Sequence, residues 1–166
     1  MRKLNRIVNI ILITSFIISV IISVLIYNGL SKEIGNIKYD ASTDNKNFEI
    51  NGYIYQYYQS GAEYNNGRAA IRSEILNKTK ALKSIQNGYV TARFVVNHLG
   101  KTDRYRLLVV DTNYEEMKIS QDDTNLIIKE LKSLNNWIPG VRKNKKVDSY
   151  SLLNFKIQHG KIVDIF

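Results

Sequence analysis

Twenty-one consecutive residues without a charge, Ile7 to Tyr27 (IVNIILITSFIISVIISVLIY), constrain this chain more than any other feature. As a helix the run would measure roughly 31 Å, about the thickness of a bilayer's hydrocarbon core. It predicts a single N-terminal transmembrane helix. Arg2, Lys3 and Arg6 precede it, so the positive-inside rule keeps residues 1–6 in the cytoplasm and sends residue 28 onward across the membrane. The run exceeds the usual apolar core of a signal peptide, and no A-x-A-like site follows it in IYNGLSKEIG. An uncleaved anchor is therefore expected. Ser15, Ser19 and Ser23 recur every four residues along one face of that helix, a small-residue seam where another helix could approach closely or accept hydrogen bonds.

With 166 residues, 44% of them hydrophobic and 23% charged, the chain suits one small folded domain behind the anchor. It has no cysteine, which excludes cysteine lipidation, disulfides and thiolate metal sites. The domain must then be held by its apolar core. The formal charge is +9, but three positives precede the span and the remainder carries 21 positive against 15 negative side chains, a net of +6. Nucleic acid is not an expected partner for a domain outside the cytoplasm; mild attraction to anionic envelope surfaces is.

Residues 28–50 are polar and aperiodic and are expected to form a short tether, with the domain covering 51–166. EINGYIYQYYQ sets Tyr53, Tyr55 and Tyr57 on one parity, as a first strand or an ordered lead-in. Ala70, Ile71, Ile75 and Leu76 have helical spacing within Asn65–Thr79, with Asn66 as a possible N-cap. Val90, Ala92, Phe94 and Val96 then alternate with polar neighbours, the chain turns at NHLG, and Tyr105, Leu107 and Val109 resume the alternation, which predicts a β-hairpin. Ser120 opens a second helix striped with Ile127, Ile128, Leu131 and Leu134, and Pro139 and Gly140 stop it. Leu153, Phe155 and Ile157 alternate in a last strand, followed by a small turn at His159 and Gly160 and then KIVDIF. The expected fold class is α+β: a three-stranded antiparallel sheet with two helices on one face, preceded by the single transmembrane helix.

Nothing in this pattern points to catalysis. His98 and His159 fall in expected turns away from any second ligand, Asp122 and Asp123 suit a helix N-terminus, and no serine has a readable histidine and acid partner. No catalytic residue, metal or cofactor is expected. Trp137, beside Pro139, is expected to bury its ring at the corner between helix and strand. Arg142, Lys143, Lys145 and Lys146 read as a solvated basic loop, with contact to anionic envelope groups as the alternative.

Three segments in order, NGYVTARFVVNHLGK, LKSLNNWIPG and VDSYSLLNFKI, resemble the C-terminal domain of TonB, the envelope energy transducer of Gram-negative bacteria, over about Gly61 to Ile162. The resemblance implies a protein of the bacterial inner membrane with a periplasmic domain that grips a TonB-box-like segment of an outer-membrane receptor, or of another envelope protein, by β-strand addition. It also implies a possible link through the anchor to a motor of ExbB and ExbD type, serving transport. In the family the last strand is the gripping edge, which maps here onto Asp148, Ser149, Tyr150, Ser151, Leu152, Leu153 and Asn154. A strand that merely completes the sheet is the competing reading of those residues. The chain departs from the family in having one proline instead of a proline-rich spacer, and Ser19 four residues after Ser15 instead of histidine. A non-energised envelope scaffold or adaptor is the alternative function.

Overall fold

A computed structural model describes the backbone of all residues except Met1, Ile34, Gly35, Asn77 and Thr79, and the side chains of 6–27, 36–76, 78 and 80–166. The chain divides into two units, 1–36 and 37–166.

The first unit is one helix, α1 (Arg2–Glu33). Its stretch Arg6–Tyr27 is long and apolar enough to cross a membrane, and none of that stretch is buried against protein. The hydroxyls of Thr14 and Ser23 donate to the carbonyls of Ile10 and Ser19 at 2.9 and 2.8 Å, so the helix satisfies these polar groups internally. Ser15, Ser19 and Ser23 share one face of it.

The second unit contains α2 (Tyr57–Ser60), β1 (Glu63–Tyr64), α3 (Gly67–Leu76), β2 (Gly88–Val96), β3 (Thr102–Val110), α4 (Gln121–Ser133), β4 (Trp137–Ile138), β5 (Gly140–Arg142), β6 (Lys145–Val147), β7 (Ser149–Gln158) and β8 (Lys161–Ile165). Four strands form the main sheet, in the order β3-β2-β7-β8, antiparallel throughout. Period-two alternation puts Val90, Ala92, Phe94, Leu153, Phe155 and Ile157 on one face. Ile71 and Ile75 of α3 and Ile127 and Leu131 of α4 cover that face, and all of these residues belong to one buried cluster. Trp137 closes its corner, with its ring 5.2 Å from those of both Phe94 and Tyr64.

The α+β class and the single apolar N-terminal helix match the sequence reading; the strand count does not, and the folded unit has a short third helix, α2, besides α3 and α4. KIVDI, expected as a tail, turns back at His159 and Gly160, whose φ values of 49° and 71° are both left-handed, and pairs with β7 as a fourth strand. Ile162 and Ile165 are thereby buried, which a five-residue segment carrying two charges hardly advertises. Helix α4 begins as expected: Ser120 is its N-cap, accepting from the Asp123 N–H at 3.2 Å. Asn66 is no cap, because its φ of 62° is left-handed where an N-cap is extended.

Residues 37–50, expected as tether, belong to the folded unit. Ile37 packs with Val95 and Tyr150 on the sheet face opposite the helices, joined by Phe48 and Ile54. The Ile37 N–H donates to the Tyr150 hydroxyl at 3.1 Å. Arg106 donates to both carboxylate oxygens of Asp44 at 2.8 Å and to the Lys38 carbonyl at 2.7 Å. The segment lacks a periodic apolar pattern because side-chain hydrogen bonds, not a strand ladder, hold most of it.

Candidate functional site

The seven residues expected to form the gripping edge lie in and just before β7, which is an inner strand. Ser149 to Ile157 pairs along its whole length with β2. On its other side β8 pairs with Phe155 to Gln158.

Asp148 has a fully buried side chain. Its carboxylate accepts from the N–H groups of Asn51 and His98 and lies 2.9 Å from His98 Nδ1, a partner that selects the Nδ1–H form of the ring. It is a bracket tying the lead-in and the β2–β3 turn to β7. Ser149 is buried, and its hydroxyl has no partner among the described residues. Tyr150 lies under the Arg93 guanidinium, 4.4 Å from its ring centre. Leu153 is core, and Asn154 accepts from the Thr91 hydroxyl at 2.9 Å. Ser151 is buried and Leu152 half-buried.

The outer side of β7 is nevertheless interrupted. Near its start Tyr55 bridges to it: the Tyr55 N–H donates to the Asp148 carbonyl at 2.9 Å, and the Tyr150 N–H donates to the Tyr55 carbonyl at 2.8 Å. Further on, Asn154 and Phe166 exchange two backbone hydrogen bonds of 3.0 and 2.9 Å. Backbone groups of an antiparallel strand alternate between its two sides, so Leu152 points its N–H and C=O to the same side as Asn154. Neither group has a partner among the described residues. The result is a window one residue pair wide, framed by Tyr55 and Phe166.

A cleft of about 440 Å³ opens onto this window. Tyr64, Ile71 and Trp137 form its apolar wall, Ser151, Leu152 and Leu153 its strand side, and Glu63 and Arg68 its polar rim. The Tyr64 hydroxyl donates to Glu74 at 2.9 Å; burial first and the Glu74 carboxylate second push its pKa upward, so it remains a donor. Unpaired strand groups beside aromatic and aliphatic walls can hold a short extended peptide: the backbone supplies two hydrogen bonds and the wall takes one side chain.

The edge strands of the main sheet are β3 and β8, and β3 is guarded. A bulge opposite Phe94 places Arg104 at a φ of 58°, twisting the edge. The Tyr105 carbonyl accepts from Arg106 at 2.8 Å, and the Val109 carbonyl accepts from the Met117 N–H at 3.0 Å. Burial raises the Tyr105 phenol to about 12, so it stays a neutral wall residue. Sequence reasoning missed Tyr55 as the residue that closes β7, although the Tyr53, Tyr55, Tyr57 alternation is the signal that an extended segment passes there.

The basic loop is a hairpin of β5 and β6, with Lys143 and Asn144 as its two turn residues and Arg142, Lys145 and Lys146 flanking them. His98 and His159 both lie in turns, as expected. Among the described residues no group of three or more His, Cys, Asp or Glu side chains could hold a metal ion. Comparison with protein-family models, with curated proteins and with solved structures finds no match to this chain.

Proposed function

We propose that this chain is a single-pass, membrane-anchored binding protein that holds a short extended segment of another envelope protein in the cleft at Leu152. The observation that carries the reading is the window itself: one strand residue, Leu152, whose two backbone groups have no partner among the described residues, opening onto an aromatic-walled cleft. It retains strand addition, the mode implied by the resemblance to TonB, but confines it to one residue of the seven. A TonB-box-like segment fits in kind, entering as two or three residues and not as a full strand. The anchor reading rests on the Arg6–Tyr27 span, and the charge bias before it supports a folded unit on the far side of a bacterial inner membrane.

An adaptor or scaffold role is favoured over energy transduction across the envelope. Ile37, already in the folded unit, follows the end of the apolar span at Tyr27 by ten residues, at most about 35 Å of chain. The domain is thereby kept near its own membrane.

The test is photo-crosslinking of the full chain in membranes, with a benzophenone side chain at Arg68 or Leu152 and a control at exposed Lys129. The reading predicts a discrete adduct from positions 68 and 152, absent at 129 and lost when Ala62→Trp fills the cleft. Adducts from Leu107 alone would move the site to the β3 edge, and equal labelling everywhere would remove it.

A further inference from the structure

The hairpin Gly140–Val147 gathers Arg142, Lys143, Lys145 and Lys146 on a two-stranded ribbon. No carboxylate among the described residues lies within ion-pair distance of any of the four. Lys143 and Asn144 adopt φ values of 47° and 60°, both left-handed, the turn that continues the natural twist of a ribbon. The cations are thus presented by a defined turn.

Aromatic residues flank them. The Arg142 guanidinium lies 5.1 Å from the centre of the Tyr55 ring, which meets Tyr53 edge-on at 4.9 Å. Tyr53, Tyr57, Tyr58 and Val141 are all more than half exposed. A merely solvated charge cluster has no use for apolar tips around it. Tyrosine at a polar–apolar boundary beside unpaired lysines is instead the composition of a surface that rests on lipid headgroups.

We infer that the β5–β6 ribbon and its tyrosines dock on anionic lipid headgroups of the membrane in which α1 is anchored. The inference rests on the anchor reading in one respect: the short stretch of chain from Tyr27 to Ile37 limits how far the unit can be from a bilayer, where even a weak surface contact becomes highly occupied. A pocket of about 400 Å³ lies among Tyr55, Arg142, Lys143, Lys145 and Val147. Lipid is favoured over an acidic protein segment because three of those five residues are cations that converge on a space suited to a headgroup phosphate, with the apolar tips dispersed around it. Docking would also limit how the cleft at Leu152 is presented to partners.

Both buried clusters lie within 37–166, so that unit carries its own core and can be studied alone. The experiment is co-sedimentation with phosphatidylcholine vesicles, with and without about a third phosphatidylglycerol, at low and at physiological salt. The wild-type unit should sediment with the anionic vesicles only, and less at higher salt. The variant Lys143→Asn, Lys145→Gln, Lys146→Gln should partition roughly 100-fold more weakly, at about five-fold per removed charge. Asn suits the left-handed position, and circular dichroism checks that the fold persists. Equal partitioning of wild type and variant would overturn the inference. So would retention of the wild type by peptidoglycan sacculi but not by anionic vesicles. Neither result touches the anchor, which is tested separately by whether the full chain stays in membranes after alkaline extraction.

Discussion

Replacing Asp148 with Asn separates a structural bracket from a partner-binding residue, because the two roles predict different losses. Asn is nearly isosteric, so packing is preserved and only the donors are mismatched. The buried carboxylate serves three N–H groups, those of Asn51, His98 and the His98 ring. An amide oxygen can keep two of them, each weakened by about 1 kcal/mol when the charge is lost, and the amide NH₂ then faces the third, which goes unpaired at about 1–3 kcal/mol. The expected loss is about 3–5 kcal/mol. For a unit of this size each kcal/mol shifts Tm by about 4 °C, so melting should fall by about 12–20 °C. Urea unfolding of residues 37–166, followed by circular dichroism, measures this directly, with a lower midpoint and an unchanged slope. A loss below 1 kcal/mol, together with disappearance of the partner adduct at Leu152, would refute the bracket and return Asp148 to the binding surface.

Two further outcomes follow from the same structure. Arg106 holds the Asp44 carboxyl at about 2, well below its ordinary 3.8. A depressed carboxylate stabilises the fold above its unfolded pKa and loses that contribution as pH falls through its folded value. Stability should therefore drop between about pH 4 and pH 2. Asp44→Asn should cost about 1–2 kcal/mol at neutral pH after allowing for solvent at Arg106, and its unfolding curve should converge with that of the wild type near pH 2. Gly100 closes the β2–β3 turn at a φ of 77°, and an added Cβ would lie 2.4 Å from the Trp137 carbonyl. Gly100→Ala should cost about 3 kcal/mol in thermal unfolding, from left-handed strain and overpacking together.

The parts of this fold that the sequence makes plain are those with a local periodic cause. Val90, Ala92, Phe94 and Val96 alternate without interruption, Ile127 and Leu131 share a helical stripe, and Ser120 sits one residue before the helix it caps. What stayed hidden was decided by distant partners. The lead-in at Ile37 and Asp44 is polar and aperiodic because it is held by Tyr150 and Arg106, more than 60 residues away. The C-terminal KIVDI becomes a strand only because β7 offers its outer side, and its arrival turns the expected gripping edge into an interior strand. Of the candidate site, the strand was legible and the window was not. Its extent is set by where Tyr55 stops and Phe166 begins, and no local pattern around Leu152 records that.

Amide hydrogen exchange of residues 37–166, resolved residue by residue by NMR, tests the central claim most directly. The N–H groups of Tyr150 and Asn154 are bonded on the outer side of β7, and those of Ser151 and Leu153 face β2. Leu152 should exchange quickly between these slow neighbours, and should slow when the crosslinked segment is added as a peptide. If the Leu152 amide is as protected as its neighbours in the free protein, the window is closed and the proposed mode of binding has no place to occur.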